Sequence, residues 1–144
     1  MVVDPEAARI VFDSGVPIMM SPLELTHQGQ ATPQVIQRFA DIGSPLGDFA
    51  VEMLRFFSST HQREFGIDAP LHDPTAVAWV IDPTIVKTKF VHVDIEVASE
   101  FSYGRTNIDL YNQLHLEPNA HVGVELDVER FWDLMVWAIA SYSA

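Results

Sequence analysis

The 144-residue sequence has no cysteine, few basic residues and no apolar run long enough to cross a bilayer. Without cysteine, disulfides, thiolate nucleophiles and zinc–thiolate sites are excluded. Eight scattered Lys and Arg stand against twenty Asp and Glu, which gives a net charge of −12. Phosphate backbones are bound by clustered cations, and there is no glycine-rich loop followed by lysine to cradle a phosphate. The sequence therefore predicts a protein that binds neither nucleic acid nor membranes.

What the chain does have is apolar content, because 48% of its residues are hydrophobic. A chain of this length suits one domain with a sizeable core. Residues 1–6 show neither the basic start nor the apolar run of a signal peptide. These features predict a single cytoplasmic domain.

One local device opens four predicted helices: a residue that can cap a helix is followed by proline, which fits the first helical position. The four pairs are Asp4-Pro5, Thr32-Pro33, Ser44-Pro45 and Asp73-Pro74. The first three helices are predicted to end at Gly15, Gly43 and Gly66. On the longest of them, helical spacing predicts an apolar face formed by Leu46, Phe49, Ala50, Met53, Leu54 and Phe57.

The stretches between these helices are strand-like. Residues 16–20 form a short apolar run, typical of a strand buried on both faces in a parallel sheet, and residues 89–97 alternate as a half-exposed strand does. Residues 104–111 and 121–126 are further candidates. Asp127 is predicted to cap a final helix. Its Phe131, Trp132 and Trp137 suit packing in a core, or a subunit interface, better than a cofactor pocket. The order of elements predicts an α/β fold with helices flanking a mixed, mostly parallel sheet.

A histidine and an aspartate, His72 and Asp73, lie side by side where the fourth helix is predicted to begin. A helix start gathers unpaired amides and the positive end of the dipole, so one interpretation makes Asp73 the cap. Asp4 and Asp127 occupy the same position before other helices, which favours that structural role. The other interpretation is a site, because an imidazole can deliver a proton near neutral pH.

Several ordered blocks resemble the C-terminal half of an inosine-uridine-type nucleoside hydrolase. They are residues 4–12 (DPEAARIVF) with 15–18 (GVPI), 23–28 (LELTHQ), 70–78 (PLHDPTAVA), and less specifically 104–109 (GRTNID) and 122–127 (VGVELD). The resemblance implies the C-terminal half of a Rossmann-like nucleoside hydrolase fold. It makes residues 1–144 one partial domain, without the aspartate-rich N-terminal half of the family.

The resemblance implies a calcium-dependent N-glycosidase of nucleoside salvage, which cleaves ribonucleosides to ribose and free base. Carried over to matching positions, Asp73 would be a calcium ligand that also contacts substrate. His72 would be the catalytic acid or hydrogen-bond donor near the leaving base. These roles suit the residue types, since a hard cation prefers carboxylate oxygen and a leaving base is improved by a donor.

His61 and Phe65 lie four residues apart, so they share one face of the long helix. In some pyrimidine-preferring relatives, the matching positions contact the base, which would suit stacking by Phe65 and a hydrogen bond from His61. The alternative is that Phe65 packs near the helix end and His61 is solvated. His27 is expected to be a loop residue bonded to the backbone.

The family's aspartate-rich block and its Glu-Phe-Asn-type segment have no counterpart in the sequence. Calcium takes roughly six to eight oxygen ligands, of which Asp73 offers at most two. Two hypotheses follow. The chain is a hydrolase whose chemistry needs a complementing N-terminal half, or it is a non-catalytic fragment that serves as a folding or homo-oligomerisation module.

Overall fold

The structure, a computed structural model, describes residues 1–142. Its helices are α1 (Pro5–Asp13), α2 (Leu23–Thr26), α3 (Pro33–Ala40), α4 (Pro45–Phe65), α5 (His72–Ile81) and α6 (Val128–Ser141). Its strands are β1 (Met19–Met20), β2 (Val86–Val91), β3 (Val93–Ile95), β4 (Thr106–Ile108) and β5 (Ala120–Leu126). The predicted α/β class is confirmed. None of the helices in this described part combines the length and apolar character needed to span a bilayer.

Three of the four predicted helix starts are confirmed, because local side chains satisfy the first amides of α1, α3 and α4. The accepting oxygens are Asp4 Oδ1, Thr32 Oγ1 and Ser44 Oγ, which receive hydrogen bonds from the amides of Ala7, Val35 and Gly47 at 2.9, 3.3 and 3.1 Å. A proline follows each cap. The helix α4 ends at Gly66, whose φ of +71° lies in the left-handed region that glycine adopts without steric cost.

The predicted apolar face of α4 is wrong in part. Ala50 and Leu54 are buried as expected, but Phe49, Met53 and Phe57 are exposed. The buried face is turned by one position and consists of Gly47, Ala50, Val51, Leu54 and Ser58. A Cβ at Gly47 would lie 2.8 Å from the carbonyl oxygen of Phe39, so α3 can pack this closely against α4 only because Gly47 has no side chain. This close contact determines which side of α4 is buried.

The chain divides into two compact units, and the first contains residues 1–20 and 88–124. Here Met19 and Met20 of β1 pair in parallel with His121 and Val122 of β5, while β3 and β4 pair antiparallel. The prediction that residues 16–20 are buried on both faces is wrong, since Val16 and Met19 are exposed. Val16 lies outside β1, which contains only Met19 and Met20, and β1 is at the edge of the order β1-β5-β2, with another strand on one side only. The core consists of Phe12, Val93, Ile95, Ala120 and Val122.

Among the described residues, the second unit contains 21–87 and 125–142. Asp127 caps α6 as predicted, with its Oδ1 accepting from the Arg130 amide at 3.2 Å. Phe131 and Trp132 are fully buried, whereas Trp137 is 66% exposed, so the prediction of core packing is wrong for Trp137. The core joins α6 to α2–α5, and its members include Leu25, Phe39, Leu54, Trp79, Phe131 and Trp132.

Candidate functional site

Two short backbone segments of the second unit position the candidate site. The amide of Ala31 donates to the carbonyl of Ala69 at 2.9 Å, and the amide of Leu71 donates to the carbonyl of Gly29 at 3.4 Å. Helix α2 ends just before the first segment, and α5 begins at the end of the second. We call these paired segments, residues 29–31 and 69–71, the brace. The brace brings the last turn of α2 beside the first turn of α5.

The start of α5 differs from the prediction. The helix begins at His72, its N-cap is Leu71, and no side chain caps it, so the predictions of Asp73 as cap and Pro74 as first residue are wrong. The reason is tertiary, because the brace holds Leu71 extended and the chain turns helical immediately after it. Proline is tolerated within a first turn, whose amides have no intrahelical acceptor. Asp73 therefore lies in the first turn, exposed to solvent.

His72 is partly buried and is held by a side chain from α2. The Thr26 hydroxyl oxygen lies 2.8 Å from Nδ1 of His72, and Thr26 is itself 3% exposed. The ring of His27 lies beside the ring of His72, with the two ring centroids 5.6 Å apart and an interplanar angle of 49°. His27 was expected in a loop, and it is the C-cap of α2, with its amide donating to the Leu23 carbonyl at 2.8 Å.

The surroundings lower the pKa of His72 below its ordinary value. Burial is the largest cause, because it disfavours the charged ring. Positive charge on His27 and on His61 lowers this pKa further, and the smaller effect of the Asp73 carboxylate raises it. A lowered pKa makes the protonated ring a stronger acid while reducing its population at neutral pH.

His61 and Phe65 do share one face of α4, with ring centroids 5.6 Å apart. Phe65 is exposed, so it does not pack at the helix end as the alternative supposed. The His61 ring meets Phe57 edge-on at 4.3 Å, and its Nδ1 lies 3.3 Å from the Phe57 carbonyl oxygen. Ser58 of the same helix accepts a hydrogen bond from the Ala69 amide at 3.4 Å, which links α4 to the brace.

The residues present do not complete a calcium site. Within residues 1–142, no three His, Asp or Glu side chains converge closely enough to hold a metal ion. Asp73 supplies one carboxylate, against the roughly six to eight oxygens that calcium takes. Metal binding by Asp73 thus stays a prediction.

Sequence reasoning missed the contact between Thr26 and His72. The two residues are 46 positions apart, and neither helical nor strand periodicity relates positions at that separation. The one available signal was that Thr26 and His72 both fall within the blocks that resemble the nucleoside hydrolase family. That resemblance marks both positions but gives no distance between them.

The fold and the start of α5 define an α/β protein with a partly buried histidine held by a hydroxyl from α2. The model of the inosine-uridine preferring nucleoside hydrolase family matches residues 1–133. The chain belongs to this family.

Individual relatives agree with that assignment. The chain is 42% identical, over 96% of its length, to a probable ribonucleoside hydrolase of Dictyostelium discoideum. It is 39% identical over 98% of its length to the pyrimidine-specific ribonucleoside hydrolase RihA of Klebsiella pneumoniae. These alignments cover 43% and 46% of the relatives, so the chain spans less than half of their length.

Solved structures show the same relation. A purine-preferring ribonucleoside hydrolase from Gardnerella vaginalis superposes with a TM-score of 0.82 at 30% identity, covering 96% of this chain and 44% of that one. The plant nucleoside hydrolase PpNRh1 gives a TM-score of 0.82 at 25% identity, covering 95% and 45%. The chain therefore has the fold of part of a nucleoside hydrolase.

Proposed function

We propose that this chain supplies the His72-bearing part of a ribonucleoside hydrolase that cleaves the N-glycosidic bond to ribose and free base. The observation that supports the proposal most directly is the hydrogen-bonded imidazole of His72. His72 is fixed at Nδ1 by a buried hydroxyl, beside the exposed carboxylate of Asp73, within a chain whose family is established. The negative charge of the protein is compatible with an uncharged nucleoside as substrate.

In this proposal, His72 acts on the leaving base. As the glycosidic bond breaks, its electron pair moves onto a ring nitrogen of the base, where a proton or hydrogen bond from His72 stabilises the charge. Water adds to C1′ of the ribosyl cation and loses a proton, which gives ribose. The exposed ring of Phe65 offers a stacking surface for a planar heterocycle, and His61 offers a hydrogen bond. Asp73 would contribute one calcium ligand, and the remaining ligands would come from a complementing N-terminal half.

The experiment combines the chain with the N-terminal half of the Klebsiella relative, in the presence of calcium. Release of free base from uridine and inosine is measured by chromatography. We expect activity from the mixture, and general acid catalysis predicts a loss of about 10²- to 10⁴-fold in His72→Gln. His121→Gln, which changes a histidine in the other unit, is the matched control and should retain activity. Failure of the folded mixture to release base contradicts the proposal.

The second candidate function is a non-catalytic homo-oligomerisation module. The observation that favours it is the exposed apolar side of α4, where Phe49, Met53 and Phe56 are 56%, 54% and 77% exposed. Large exposed apolar patches mark association sites. This function predicts a stable oligomer of the chain alone that has no activity with any complementing half. Cytoplasmic location and a role in nucleoside salvage stay predictions of the sequence.

A further inference from the structure

The hydroxyl of Thr26 makes two contacts but carries one proton. Its oxygen lies 2.8 Å from Nδ1 of His72 and 3.2 Å from the carbonyl oxygen of Leu23. A hydroxyl donates once and accepts through its lone pairs, whereas a carbonyl oxygen only accepts. The two contacts therefore restrict where the protons lie.

The arrangement that satisfies both contacts has Thr26 donating to Leu23 and accepting from His72. The Leu23 carbonyl has two lone pairs, so it can receive this hydrogen bond as well as the one from the His27 amide at 2.8 Å. If Thr26 donated to His72 instead, two oxygen lone pairs would face each other at 3.2 Å without a proton between them. In a buried place such a mismatch is costly.

We infer that Thr26 is a positioning residue that holds His72 as the Nδ1–H tautomer and leaves Nε2 as the nitrogen that meets the substrate. The inference rests on the proposed function for the identity of that substrate, a nucleoside whose base departs. A proton exchanged with the base passes through Nε2, while the bond from Nδ1 to Thr26 is unchanged. The same contact serves both the neutral and the protonated ring, because Nδ1 donates in each.

The test reads the tautomer directly. The chain is labelled with 15N-histidine, and long-range proton–nitrogen spectra are recorded at a pH where the His72 ring is neutral; His72→Gln identifies its signals. We expect a protonated-type shift at Nδ1 and an unprotonated-type shift at Nε2. Thr26→Ser keeps the hydroxyl and should keep this pattern. Thr26→Val removes the acceptor, and the two nitrogen shifts should move toward each other as the tautomers mix.

The signals of the other histidines show whether each variant is folded. An unprotonated-type Nδ1 in the parent overturns the inference, and so does an unchanged His72 pattern in folded Thr26→Val. If Thr26→Val does not fold, the parent and Thr26→Ser spectra still decide the assignment. The measurement needs no substrate, so a confirmed tautomer together with an inactive complemented mixture refutes the proposed function and leaves the role of Thr26 standing.

Discussion

At Gly66, which ends α4, the effect of a substitution on stability depends mainly on the left-handed backbone conformation. Its φ and ψ are +71° and +22°, and its amide donates to the carbonyls of His61 and Gln62 at 3.2 and 3.1 Å. A Cβ built at Gly66 meets nothing within 4 Å, so Gly66→Ala creates no overlap with neighbouring atoms. The cost is then that of placing an L-residue in the left-handed region, about 1–2 kcal/mol.

We expect Gly66→Ala to lower the free energy of unfolding by that amount. The measurement is urea unfolding followed by circular dichroism, with all proteins at one concentration because association shifts apparent stability. Gly66→Asn is the matched control, since asparagine tolerates the left-handed region, and its loss should be clearly smaller. If Gly66→Ala is as stable as the parent, or if both variants lose equally, the conformational explanation is refuted.

Three further predictions concern the site and the surface. Because the pKa of His72 is lowered in the folded state, the unfolded chain binds more protons than the folded chain below about pH 6.5. The contribution of His72 to stability is therefore fully present above about pH 6.5 and is lost as the pH drops toward the folded pKa. Unfolding measured at several pH values should show a weaker fall in stability for His72→Gln. Asp73→Asn should change the free energy of unfolding by less than about 0.5 kcal/mol, because Asp73 is exposed and does not cap α5; a larger loss in urea unfolding would show that its charge supports the helix. Replacing exposed Phe56 by serine should reduce self-association of the chain in light scattering, and an unchanged mass distribution would exclude this side of α4 as the contact.

The fold was predictable where the signal was local. Asp4, Thr32 and Ser44 each cap a helix through an amide three residues away, so the sequence contained both partners of the interaction. The prediction failed at Asp73, which is likewise followed by proline but comes just after a segment that the brace holds extended. Capping propensity is worth about 1 kcal/mol, and tertiary hydrogen bonds can override it.

Burial was less predictable than helix position. The pattern on α4 placed Phe49 and Met53 inside, whereas the small residue Gly47 sets which side faces α3. At the candidate site, the adjacency of His72 and Asp73 could be read directly from the sequence. The partner of His72 could not, because Thr26 reaches it only through the paired segments of the brace.

The brace is made of main-chain hydrogen bonds, which do not depend on the identity of the side chains that they join. Residues 32–68, which include α3 and α4, therefore form a segment whose two ends are joined by the brace. The exposed end of this segment can be resurfaced without displacing His72, whereas its buried Phe39 and Leu54 belong to the core. His61 and Phe65 lie at that end, so substitutions there can change the face that they form while His72 keeps its hydrogen bond to Thr26.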